Sequence, residues 1–106
     1  MIDPRALLTF DKVCRAGSIS AAARDLNISQ PSVSNAIAAM EARLGVRLFE
    51  RSRSGIVLTP EGEALRLRAE MLRHLLRDAE AELATAQHGI RSEEHTSELQ
   101  SQQAIS

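Results

Sequence analysis

The chain has 106 residues, a mass of 11.6 kDa and a formal net charge of −1, which bounds it to one small domain with an appendage. Hydrophobic residues make up 43% but aromatics only 2%, so a core must be built from Leu, Ile, Val, Ala and Met, which suits interlocking helices better than a sandwich of sheets. No apolar run approaches the roughly 20 residues of a membrane helix, no signal-peptide pattern opens the chain, and the lone Cys14 excludes an internal disulfide, which together predict a cytoplasmic, mostly helical domain.

In chain order, Asp3-Pro4 is a helix start: a side-chain oxygen for free N–H groups, then a ring that needs none. Leu7, Leu8, Phe10, Val13 and Cys14 recur at helical spacing and give one apolar stripe, ended by Gly17. Ser18 or Ser20 starts a second, short helix through Ala21, Ala22, Ala23 and Leu26, and Asn27 closes a tight turn. Ser29 caps a third helix with Pro31 in its first turn; Val33, Ile37, Met40 and Leu44 are its expected buried face and Gly45 its end.

Leu48-Phe49-Glu50-Arg51 and Ile56-Val57-Leu58 flank Ser52-Arg53-Ser54-Gly55, the pattern of a small hairpin. Thr59-Pro60-Glu61 repeats the helix-start signal and opens a long helix, expected to reach about His88 and to be closed by Gly89. At 1.5 Å per residue, residues 60 to 88 span about 43 Å. The predicted fold class is therefore mainly α: a winged helix-turn-helix of three helices plus a two-stranded wing over residues 1–58, then a linker helix over 59–89.

Residues 90–106 are read as a disordered tail. From Arg91 on, the apolar period is lost, and Arg91 to Ser101 match the translated frame of a short-read sequencing adapter, so a longer protein is expected to have been cut after about Ile90.

The functional signal lies in the turn between helices two and three. Ala23 is small enough for a close crossing, Asn27 tolerates positive φ, and Val33 is an inward anchor: together they are the core of a helix-turn-helix. On the outer side of helix three stand Gln30, Ser32, Ser34 and Asn35. Gln and Asn pair with adenine in the major groove, and Ser bonds bases or phosphates, although the same cluster also serves as a plain helix cap with solvated neighbours.

Charge divided along the chain agrees with the first use, and equally with a solvated face. Over residues 1 to 58, Lys12 and seven Arg stand against five acids, and four Arg with one acid lie between Arg43 and Arg53. Arg53 is the better groove candidate of the hairpin and Arg51 the better phosphate candidate; Arg47 or Arg43 can instead pair with Glu50 or Glu41.

Residues 17 to 65 resemble the DNA-binding domain of LysR-type transcriptional regulators. The match runs through Gly17-Ser18, Ser29-Gln30-Pro31-Ser32-Val33-Ser34, Leu44-Gly45, Leu48-Phe49-Glu50-Arg51, Gly55 and Leu58-Thr59-Pro60-Glu61-Gly62, and Leu7, Phe10 and Val13 fit the family's first helix. The resemblance implies a bacterial regulator that binds promoter DNA as a homodimer, with Gln30, Pro31, Ser32 and Ser34 towards the major groove and Arg51 and Arg53 in the wing. The expected DNA-binding set is Ser29, Gln30, Pro31, Ser32, Ser34, Asn35, Arg51 and Arg53. The resemblance also implies an effector-sensing domain beyond this sequence; a small-molecule effector would bind there, and no cofactor is expected for the residues present. Ala36, Ala38 and Ala39 depart from the basic or long polar residues frequent at mid-helix in the family, which predicts modest affinity.

The long helix carries its own signal. Leu65, Ala69, Leu72, Leu76, Ala79, Leu83 and Ala86 alternate four and three apart, the spacing of a continuous seam, and are expected to pair two copies. Ala64, Leu67, Met71 and Leu75 form a second stripe, expected to pack on the chain's own head. Catalysis finds no support: His74 and His88 lack metal-site spacing, Cys14 belongs to an apolar stripe, and Glu61, Glu63 and Glu70 suit a helix start. The alternative function is a helical homodimerisation module whose basic wing is surface decoration.

Overall fold

The computed structural model describes residues 1–53 and 55–92, with side chains through Gln87; the expected tail from residue 93 on and Ser54 lie outside the described residues. Six elements follow one another: α1 (Pro4–Ala16), α2 (Ile19–Leu26), α3 (Gln30–Leu44), β1 (Phe49–Ser52), β2 (Gly55–Leu58) and α4 (Pro60–Ser92). Each early helix begins on the residue whose side chain can satisfy an orphan amide. Asp3 Oδ1 accepts from the Arg5 N–H at 2.9 Å, and Ser18 Oγ accepts from the Ala21 N–H at 3.1 Å, so Ser18 rather than Ser20 starts α2.

The helices end where the backbone turns left-handed. Gly17 and Gly45 do this with φ of 86° and 71°, and Asn27 is the only non-glycine with positive φ among the described residues. The hairpin is antiparallel, with Phe49 opposite Leu58 and Ser52 opposite Gly55. Gly89 does not end α4, which runs on to Ser92. Glycine inside a helix costs about 1 kcal/mol relative to alanine, a weak penalty rather than an obligatory stop.

By its contacts the chain divides into two units, Met1–Arg73 and the stretch from His74. The first contains α1, α2 and α3 packed on one another, the hairpin, and residues 60–73 of α4. Its core is Phe10 and Val13 from α1, Ala22 and Ala23 from α2, Val33, Ile37 and Met40 from α3, Leu48 and Phe49 at the root of the hairpin, and Ala69 from α4. The chain's two phenylalanines meet there, ring centroids 5.2 Å apart and tilted by 46°. Leu44, expected in the core, is 37% exposed, because the helix ends on it and the chain turns away at Gly45.

Two expectations about α4 are corrected. Ala69 is fully buried and Leu65 packs against the same core, so the first two residues of the expected seam are taken up by the chain's own head. Conversely, Leu67 and Met71, expected to pack on the head, are 54% and 56% exposed. The physical reason is a charge that sequence periodicity does not register. Asp11 of α1 is buried, and its Oδ2 accepts both Arg15 Nε, one turn on, and Arg73 Nε from α4, each at 2.9 Å. Removing Arg73 would leave a buried carboxylate short of one partner, so this pair dictates the phase of the helix. Small Ala69 then allows close approach on the same side.

Cys14 lies half-buried near these charges. Burial, then the Asp11 carboxylate, push its thiol from 9.0 up to about 11; Arg66 opposes them and Glu63 adds least. The folded chain holds this proton more tightly than the unfolded one, so the associated stability is complete below pH 9.0 and falls as pH rises through about 11. Alkylation at pH 8 should be about a hundredfold slower in the folded chain than in urea, since about two pH units separate the two thiols. Cys14→Ala should flatten the loss of stability between pH 9 and 11; the same slope in that variant would contradict the assignment.

Candidate nucleic-acid interface

The site is built on the sharp turn between α2 and α3. Ala23 is buried at the crossing of the two helices, and its carbonyl accepts the Ile28 N–H at 3.0 Å across the turn. Asn27 sits at φ 63°, ψ 40°, and Val33 is fully buried two residues beyond Pro31, which lies in the first turn of α3. These three residues hold α3 so that its first turn lies on the surface: Gln30, Pro31, Ser32, Ser34 and Asn35 are all exposed.

Ser29 has a different task from its neighbours. Its Oγ accepts the Ser32 N–H at 3.1 Å and donates to Ser32 Oγ at 2.9 Å, so both hydroxyls are engaged in capping. Gln30, Ser34 and Asn35, around this cap, are exposed. The outward face then runs into Ala38, Ala39 and Ala42, which are exposed and have nothing to reach with.

Beside α3 stands the hairpin. Phe49 is buried and Arg51, two residues on, lies on the same side of the strand and is exposed. Ser34, Asn35 and Ala38 of α3 and Arg47 and Arg51 of the wing line one shared concavity of about 270 Å³. Arg53 is exposed at the hairpin turn. Neither Arg51 nor Arg53 enters an ion pair among the described residues, whereas Arg15, Arg66 and Arg73 do. Arg47 takes the structural role foreseen as its alternative, its Nε 3.8 Å from Glu41 Oε2.

The two expected groups therefore separate in space. Ser34, Asn35 and Arg51 line one concave face; Gln30, Pro31 and Ser32 lie exposed on the preceding turn of α3 and Arg53 at the hairpin turn, outside that concavity, while Leu65 and Ala69 go into the core. Sequence reading missed Glu41 and Thr59, which fasten the root of the wing: Glu41 Oε2 accepts the Leu48 N–H at 2.7 Å, and Thr59 Oγ1 donates to the Arg47 carbonyl at 2.6 Å. Among the described residues no group of three His, Cys, Asp or Glu is placed to hold a metal, and no helix is long and apolar enough to cross a membrane.

Residues 4–63 match the family model of the bacterial regulatory helix-turn-helix protein, lysR family. The chain belongs to this family. Its lysR-type head is similar to the HTH-type transcriptional regulator TfdS of Cupriavidus pinatubonensis, 52% identical over 60 residues, which is 57% of this chain and 20% of that protein. It is also similar to TdcA of Escherichia coli, 42% identical over 66 residues, 62% of this chain and 21% of the relative. The chain thus spans about a fifth of the length of these curated relatives, which are transcriptional regulators and not enzymes.

Among solved structures, the LysR family regulator CbnR aligns with a TM-score of 0.69 at 40% identity, over 79% of this chain and 29% of CbnR. The DNA-binding domain of CbnR in its complex with DNA aligns with a TM-score of 0.67 at 40% identity, over 79% of this chain and 98% of that one. The winged helix-turn-helix expected from the residues is the fold these lysR-type neighbours share.

Proposed function

We propose that this chain is the sequence-specific DNA-binding head of a cytoplasmic LysR-type transcription factor, reading promoter DNA as a homodimer. One observation carries the reading: Ser34 and Asn35, on the exposed polar start of α3, line the same concavity as Arg51, which enters no ion pair among the described residues. Gln30, Ser34 and Asn35 are suited to base edges in the major groove, Pro31 and Ser32 to close approach, and Ser29 to holding the helix start. Arg51 serves a phosphate and Arg53 the minor groove, whose negative potential favours a guanidinium. The likeness to a DNA-bound CbnR domain supports the same reading.

Ala36, Ala38 and Ala39 add no cations to α3, so affinity should be modest. On a duplex selected from random sequence, log affinity should fall against log salt less steeply than a slope of about −5, the lower end for six phosphate contacts. Arg51→Ala with Arg53→Ala should weaken binding at least about tenfold and flatten that slope. Unchanged affinity in a folded, dimeric double variant would favour the alternative, a dimerisation module with a decorative wing.

For dimerisation, Leu72, Leu76, Ala79, Leu83 and Ala86 remain of the expected seam. Leu76 and Leu83 are exposed in the single chain, Leu83 by 71%, which leaves apolar surface for a second copy to cover. Leu83→Glu should give folded monomers by sedimentation velocity, because its side chain contributes nothing to the head's core. A dimer persisting at micromolar concentration would contradict pairing through this helix.

A further inference from the structure

Between the end of α3 and β1 the chain turns through Gly45, Val46, Arg47 and Leu48, where the first amides close the helix and the later ones need other partners. Glu41 supplies acceptors to both sets. Its backbone carbonyl accepts the Gly45 N–H at 2.8 Å and the Val46 N–H at 3.3 Å. Its carboxylate Oε2 accepts the Leu48 N–H at 2.7 Å and the Phe49 N–H at 3.4 Å, with Arg47 Nε 3.8 Å away. The two carbonyl bonds are the ordinary close of α3 and do not depend on the side chain; the carboxylate itself holds the Leu48 amide, with the Phe49 amide at longer range.

The carbonyls of the same root are held from the other side. Thr59 N–H donates to the Leu48 carbonyl at 3.0 Å and Thr59 Oγ1 to the Arg47 carbonyl at 2.6 Å. Thr59 ties the wing to α4, so Glu41 is the bond between the wing and α3. We propose that Glu41 is a positioning residue for DNA reading: it sets the pitch of the wing against α3 and thereby decides whether Arg51 and Arg53 reach the duplex.

The lever makes this effect large. From Leu48 to the hairpin turn is about four strand residues, or about 13 Å, so a tilt of about 10° at the root displaces the tip by about 2 Å. A hydrogen bond at the tip does not survive such a shift, because a donor and acceptor that start about 2.9 Å apart are carried well beyond bonding distance. A carboxylate suits the task, since a charged acceptor makes the shorter and stronger bond to an amide. The proposal rests on the DNA-binding reading above, and the following experiment tells their failures apart.

The duplex selected from random sequence is titrated with the full chain as wild type, Glu41→Ala, Glu41→Gln, Arg51→Ala/Arg53→Ala, and each Glu41 variant combined with the arginine pair. Circular dichroism and sedimentation confirm fold and dimer for each. Glu41→Ala should bind about tenfold more weakly, with a flatter salt dependence, and Glu41→Gln should lose about threefold, because its amide oxygen still accepts the Leu48 N–H but as the weaker, uncharged acceptor. In the background lacking Arg51 and Arg53, neither Glu41 variant should cause a further loss. Full additivity in that background, or wild-type affinity in folded Glu41→Ala, overturns the proposal. If Glu41→Ala does not fold, the same comparison with Glu41→Gln decides: a loss that vanishes without the arginines supports it, and a loss that persists, or no loss at all, overturns it. Failure of the wild-type chain to select or bind any duplex overturns the DNA-binding reading itself.

Discussion

Gly62→Ala is expected to destabilise the head by about 3 kcal/mol, although a helix-propensity argument predicts the opposite sign. Gly62 lies in the first turn of α4, where alanine is by itself the better residue by about 1 kcal/mol. A Cβ at this position, however, would collide with the Leu48 carbonyl oxygen and stand 2.8 Å from Leu58 Cδ2. The carbonyl cannot yield, because it accepts the Thr59 N–H, and Leu48 is itself almost fully buried. The Gly62 amide, meanwhile, donates to Thr59 Oγ1 at 2.9 Å, so the helix start cannot shift without losing its cap. Urea unfolding of the two chains distinguishes the arguments by sign; equal or greater stability in the variant would mean that the junction of wing and α4 is less tight than described.

Phe10→Ala is expected to cost about 3–5 kcal/mol, the range for removing a large buried aromatic. Phe10 is fully buried and packs its ring on Phe49, so one truncation removes transfer energy and a ring contact between α1 and the root of the wing. Domains of this size are commonly stable by only about 0.05–0.15 kcal/mol per residue, and the loss is therefore a large part of the total. Thermal unfolding should show a large fall in midpoint, with a much smaller one for Phe10→Leu. A fall of less than about 1 kcal/mol would place the structural weight of the head elsewhere.

Much of the fold was legible because its signals are local. Asp3, Ser18 and Ser29 cap amides two or three residues away, and Asn27 and Gly45 turn the chain where they stand. The helix-turn-helix itself is a local device, so Ala23, Asn27 and Val33 announce it within eleven residues of sequence. The candidate reading face followed, since exposure of Gln30 to Asn35 is a matter of helical phase relative to Val33, Ile37 and Met40.

The rest depends on partners far along the chain. Asp11 and Arg73 lie 62 residues apart, and nothing in a periodic pattern says which of two apolar stripes on α4 their bond turns inwards. Spacing alone therefore gives Leu65 and Ala69 to a partner helix, whereas they serve the core. Glu41 reaches amides seven and eight residues on, a spacing that belongs to no helical or strand rule, so its sequence context suggests only a surface pairing with Arg47 or Arg43. Gly62 is legible as part of a helix start but not as the place where a carbonyl passes.

The most direct test of the central claim is selection from random duplex DNA by the purified chain at moderate salt. Two copies, each offering Gln30, Ser34 and Asn35 to a major groove, should enrich an inverted repeat, with a preference extending to the flanks that Arg53 would reach. Sequencing that returns no motif, from a chain shown to be folded and dimeric, would contradict specific DNA reading by this head.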